Sequence, residues 1–69
     1  MGSVKNSLRV ERAKLNITQK KLAEEIGVAR QTIHSIENEK FTPSVELALK
    51  LAKFFQVPVD DLFSLKEEE

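Results

Sequence analysis

Gly27 stands one residue past Ile26, the last of three apolar side chains, Leu22, Ala23 and Ile26, that recur at helical spacing. A glycine placed there takes the left-handed backbone that ends a helix. Thr18 can accept from the free amides of the turn that follows it, so a helix is expected over about 19–26. Past the turn, Ile33 and Ile36 recur over about 29–38 with Val28 just outside. At about 100° per residue, Ile33, Ile36 and Glu37 share one side of that helix, and Gln31, His34, Ser35 and Asn38 share the other. The buried stripe is narrow, and the outward face is polar but hardly charged. Two short helices, a glycine turn and the small Ala23 where they would cross describe a helix-turn-helix over about 18–38. In that arrangement the second helix enters the major groove and the first lies across the backbone. Small helical domains also use such turns for packing alone, so spacing leaves both readings open.

The flanking segments supply the rest of an all-α fold. Leu8, Ala13 and Leu15 lie in a helix-forming stretch that stops at Asn16, which places a first helix at about 6–15. Glu11 and Arg12 interrupt its core-facing turn, so at least one of them must be paired. Pro43 suits the first turn of a fourth helix and Thr42 or Ser44 its cap. That helix, with Val45, Leu47, Ala48, Leu49, Leu51, Ala52, Phe54 and Phe55, is apolar around most of its girth and is expected to be central. Pro58 opens a short fifth helix through Val59, Leu62 and Phe63, with Asp60 and Asp61 near its positive end. Leu65 can run extended beside Val4 and Lys5 as a short two-stranded sheet from the chain ends.

Sixty-nine residues make one domain with a modest core. Without cysteine, and with His34 as the sole histidine, neither disulfides nor a metal site is expected, so a partner subunit is. No apolar run approaches a membrane span and Met1-Gly2-Ser3 carries no signal segment, so a cytoplasmic protein is expected. Net charge is zero, yet residues 1–40 carry eight basic and five acidic side chains while residues 41–69 carry three and six. The first half can therefore face phosphates, and residues 66–69 read as an acidic, solubilising tail.

The run TQKKLAEEIGVARQTIHSIE, followed by NEKFTPSVELALKLAKFFQVPVDDLF, resembles the Cro/CI-like (XRE) family of phage and prokaryotic transcriptional regulators over about residues 7–63. The resemblance implies a five-helix, lambda-repressor-like DNA-binding domain that acts as a dimer on an operator with two-fold symmetry. It also implies that Arg30 and Gln31 open the recognition helix and reach base edges, and that Gln19 bonds a phosphate. Arg12 and Glu37 correspond to a charged pair tying the first helix to the third. Three positions depart from the family pattern. Ala29 replaces a common Ser or Thr cap but offers a methyl to thymine, Glu11 replaces an aliphatic residue, and Gln56 stands where a glycine often ends the fourth helix.

Chemistry supports these roles, since arginine matches the two acceptors of guanine and glutamine the donor and acceptor of adenine. The expected base contacts are Ala29, Arg30, Gln31 and Ser35, and the expected phosphate contacts are Gln19, Thr32, Asn38 and Lys40. Arg12 and Glu37 are the expected structural ion pair, and Pro58, Val59 and Leu62 the expected dimer contact. His34 has no partner ligands at metal spacing and reads as a groove-wall or solvent residue. Asn16-Ile17-Thr18 matches a glycosylation pattern but is assigned to capping instead. No paired carboxylates, nucleophile with a base or glycine-rich phosphate loop is present, so neither an enzyme, a cofactor nor a small-molecule effector domain is expected. The function expected is sequence-specific binding of double-stranded DNA by a homodimeric repressor at a palindromic operator. The alternative is a protein-binding module such as an antitoxin or adaptor.

Overall fold

A computed structural model describes residues 4–67. In chain order it contains β1 (Val4–Asn6), α1 (Leu8–Leu15), α2 (Gln19–Ile26), α3 (Arg30–Glu37), α4 (Val45–Phe55), α5 (Val59–Leu62) and β2 (Phe63–Leu65). The strands pair antiparallel, with Val4 opposite Leu65, Lys5 opposite Ser64 and Asn6 opposite Phe63. The fold is thus five helices closed by a small sheet from the two ends of the chain. No helix among the described residues is long and apolar enough to cross a membrane.

The helix-turn-helix forms for local reasons. Thr18 Oγ1 accepts from the Lys21 amide at 3.0 Å, capping α2. Gly27 ends the helix at φ +92, with its amide donating to the Ala23 carbonyl at 2.8 Å. A Cβ at Gly27 would meet nothing within 4 Å, so the left-handed backbone and not a lack of space selects glycine there. Leu22 and Ala23 of α2 then pack on Ile33 and Ile36 of α3 in one core with Leu8, Leu51, Ala52, Phe55 and Leu62.

Four expectations are corrected. Helix α1 starts at Leu8, not near residue 6, because Val4–Asn6 pairs as a strand. Asn6 makes the junction: its Oδ1 accepts from the Leu8 amide at 3.1 Å and its Nδ2 donates to the Ile36 carbonyl at 2.8 Å. Leu15 and Ala13 are exposed, since Arg12 takes the inward position and Leu8 alone of α1 is fully buried. Pro43 precedes the α4 cap and does not enter its first turn, because Ser44 Oγ accepts from the Leu47 amide at 3.1 Å. Nor is α4 enclosed: Val45 is 77% and Leu49 51% exposed, one turn apart on the same face.

The C-terminal end closes the monomer. Leu62, expected at a dimer contact, is 1% exposed and fills the protein's own core, which leaves Pro58 exposed and Val59 half-buried beside it. Lys66, expected in a solvating tail, bonds Glu39 at 2.8 Å; the Glu68 and Glu69 of that tail lie outside the described residues.

Gln56 ends α4 in the left-handed region at φ 58, a conformation that costs a non-glycine residue about 1 kcal/mol or more. Gln56→Gly is therefore expected to stabilise the protein by about 0.5–1 kcal/mol, after the greater freedom of glycine in the unfolded chain is set against relief of strain. A rise of a few degrees in the thermal midpoint is the readout. An unchanged or lowered midpoint would show that the strain at Gln56 does not exceed the entropic cost of glycine.

Candidate nucleic-acid interface

The surface of interest is built on α3. Burying Ile33, Ile36 and Glu37 turns the opposite side of the helix outward, so Ala29, Arg30, Gln31, His34 and Asn38 are exposed, with Thr32 and Ser35 half-buried beside them. Ala29 caps the helix without a side-chain bond, and its methyl is exposed at the helix start. Lys40 and Phe41 are exposed just past the helix end, and Gln19 is half-buried at the start of α2.

A polar network runs from the core to this surface. Glu37 is its hub, with a side chain 0% exposed. Arg12, 16% exposed, donates through Nε to Oε2 at 2.6 Å and through Nη2 to Oε1 at 3.1 Å. Its Nη1 donates to the Ile17 carbonyl at 3.0 Å, so the guanidinium also ties α1 to the start of α2. Gln19 Nε2 donates to Glu37 Oε1 at 3.0 Å, and Arg9 Nε lies 3.6 Å from the same oxygen. Burial pushes the Glu37 carboxyl up, but hydrogen bonds from Arg12 and Gln19 and the charges of Arg12 and Arg9 outweigh it and hold the group below the usual carboxylate range. The bond to Glu37 in turn raises the Arg12 guanidinium against the opposing effect of burial. Glu11, the other charge interrupting α1, meets Lys14 at 3.3 Å on the surface.

The same network reaches the outward face. Gln19 Oε1 accepts from Arg30 Nη1 at 3.3 Å, which holds the guanidinium at the junction of α2 and α3. Gln19 Nε2 carries a second hydrogen, so its bond to Glu37 leaves one donor for another acceptor. Asn38 is engaged within the protein, its Oδ1 accepting from Arg9 Nη2 at 3.2 Å and its Nδ2 lying 3.1 Å from His34 Nε2. Gln31 Nε2 reaches Ser35 Oγ at a long 3.5 Å, a weak tether for an exposed side chain. The structure thus brings Ala29, Arg30, Gln31, Thr32, Ser35, Asn38 and Gln19 together around α3, with Lys40 exposed just past its end. Arg12 and Glu37 lie beneath them, whereas Pro58 and Val59 belong to the separate α5 end.

Two members of this surface, Arg9 and Phe41, and the β1–α1 junction residue Asn6 were not anticipated. Arg9 lies one turn before Arg12 on α1, a spacing that places both on neighbouring positions and could have signalled a shared partner. Asn6 carried the ordinary cap signature of its residue type. Phe41 had none, because nothing local distinguishes an exposed loop aromatic from a buried one.

A family model described as helix-turn-helix matches residues 8–62. An uncharacterized HTH-type transcriptional regulator of Methanocaldococcus jannaschii is 48% identical over 66 residues, covering 96% of this chain and 100% of the relative. The uncharacterized HTH-type transcriptional regulator YgzD of Bacillus subtilis is 43% identical over 65 residues, covering 94% and 98%. The crystal structure of a Bacteroides fragilis protein provisionally described as DNA-binding superposes with a TM-score of 0.79 at 28% identity, over 88% of this chain and 98% of the other.

Proposed function

The chain belongs to the XRE helix-turn-helix family of DNA-binding transcriptional regulators, and from that premise we propose that it is a cytoplasmic, homodimeric repressor that reads a palindromic operator. The observation that carries the reading is the outward face of α3, where Arg30 and Gln31 are exposed at the first turn over a polar, nearly uncharged surface. Arg30 would take the two acceptors of a guanine and Gln31 the donor and acceptor of an adenine, with Ala29 against a thymine methyl and Ser35 one turn on. The free donor of Gln19, with Thr32, Asn38 and Lys40, would bind flanking phosphates and set the register. Repression asks only that the operator be occupied, whereas activation requires a further contact to the transcription machinery.

One such domain reads too few base pairs to find a site among a genome's competitors, which favours two copies. Symmetry would then place the two α3 helices in successive major grooves about 34 Å apart. Pro58 and Val59 supply the proposed contact, with Leu62 supporting them from within the core.

Selection of sites from random duplex DNA, followed by binding across a salt series, tests the reading. The expected results are a symmetric consensus and an affinity that falls steeply with salt, as phosphate neutralisation requires. In sedimentation at micromolar concentration the wild type is expected to be a dimer and Val59→Asp a monomer. A strictly monomeric wild type on a single half-site would reject the dimer, and an undisturbed mutant dimer would move the interface elsewhere. No DNA binding at low salt would favour a protein-binding adaptor, for which the exposed Val45 and Leu49 are the supporting observation.

A further inference from the structure

Phe41 is 49% exposed and is not part of the hydrophobic core. It follows α3 by four residues and folds back on that helix, lining a shallow indentation of about 220 Å³ with Gln31, Thr32 and Ser35. A single half-exposed ring is ordinary on a protein surface; what distinguishes Phe41 is that it walls an indentation on the α3 face, where an apolar group could be covered. What occupies it is constrained by the walls. They carry one aromatic ring, two hydroxyl-bearing side chains and one amide, with no charge, so a phosphate is a poor occupant. The nearest cation in sequence is Lys40, which lies outside the lining. The indentation is continuous with the exposed face of α3 and shares Gln31 with it. The apolar group that the major-groove edge of a base pair presents to such a face is the 5-methyl of thymine.

We propose that Phe41, with Ser35 and the methyl group of Thr32, whose hydroxyl is left to the flanking phosphate, forms a subsite for a thymine methyl group, so that Phe41 and Gln31 together read an A·T pair or two adjacent ones. This rests on the reading of α3 as the base-reading helix. Gln31 is held only by its long bond to Ser35 Oγ, so it can turn to the adenine edge while the methyl enters between Ser35 and the ring. Phe41 is then a specificity-determining residue supplied from outside the recognition helix, acting through shape and apolar contact.

The test uses the duplex obtained by selection, with each thymine replaced in turn by uracil, which removes the methyl alone. Binding of wild type, Phe41→Ala and Phe41→Leu is measured on every duplex. For wild type, uracil at one position per half-site is expected to weaken binding about fourfold, the weight of one buried CH₂, and more when both half-sites are changed. Phe41→Ala is expected to bind the thymine duplex as weakly as wild type binds the uracil one, with no further loss on uracil. Phe41→Leu, which keeps an apolar wall, is expected to retain part of the discrimination. The wild-type series stands alone if a variant folds poorly. A consensus whose binding ignores uracil at every position, or a Phe41→Ala variant that weakens all duplexes by one factor and keeps the full uracil effect, overturns this inference and leaves base reading by α3 intact. A selection that enriches no sequence overturns both.

Discussion

Arg12→Ala is expected to destabilise the protein by about 3–5 kcal/mol, the usual cost of leaving a buried charge without its partner. A domain of this size has on the order of 3–10 kcal/mol in total, so the variant should lose a large share of its stability. The reason is the hub: the Glu37 side chain is fully buried, and Arg12 provides its 2.6 Å and 3.1 Å bonds. Gln19 and Arg9 remain, but one is neutral and the other sits 3.6 Å away with an exposed side chain. Replacing both charges, as in Arg12→Met with Glu37→Leu, should recover much of the loss because nothing is then buried unpaired. Urea unfolding followed by circular dichroism measures all three proteins. Equal losses in the single and double variants, or a single-variant loss below ~1 kcal/mol as for a surface pair, would show that the pair is not the buried contact described.

The same site sets an acid limb. Glu37 is held below its ordinary value when folded, so its contribution is complete above the unfolded carboxylate range near pH ~4.3 and is lost as pH falls through the lower folded value. Wild-type stability should therefore fall below about pH 4. In Arg12→Ala the largest downward influence is gone and burial is less opposed, so the acid loss should shrink.

Features set within one or two turns could be read from the chain. Thr18, Gly27, Ile33 and Ile36 each act on neighbours a few residues away, and α2 spans Gln19–Ile26 as their spacing indicates. The pairing of Val4 with Leu65 followed from two apolar chain ends that had no helix to join. Other features depend on which face of an element meets which neighbour. Leu62 looks like spare apolar surface in sequence, yet α5 turns it into the core while Val45 and Leu49 of the strongly apolar α4 face solvent. Leu15 is exposed because a charged residue, Arg12, takes the inward position, and only the carboxylate contributed from α3 makes that tolerable. The bond of Gln19 to Glu37, and that of Arg30 to Gln19, link three segments, and no local pattern encodes such a chain.

Arg30→Ala is expected to produce the largest change in DNA recognition. Each lost bidentate contact to guanine removes about 1–3 kcal/mol of discrimination. A dimer presents Arg30 twice, at sites too far apart to couple, so the two losses should add to roughly 2–6 kcal/mol on a full operator. The structure sharpens the expectation, because the 3.3 Å bond to Gln19 Oε1 restrains Arg30 before any DNA arrives and lowers the entropy lost on contact. Gln19→Ala should therefore weaken the operator through Arg30 as well as through the phosphate, and the two substitutions should be less than additive when combined. Lys40→Ala provides the contrast. It lies past the end of α3, so it should lower affinity by one factor on all sequences and reduce the salt slope, leaving the consensus unchanged. Site selection repeated with each variant separates the cases. An Arg30→Ala protein that selects the wild-type consensus, at every position and with equal strength, would remove Arg30 from base reading and move specificity to Gln31, Ser35 and their neighbours.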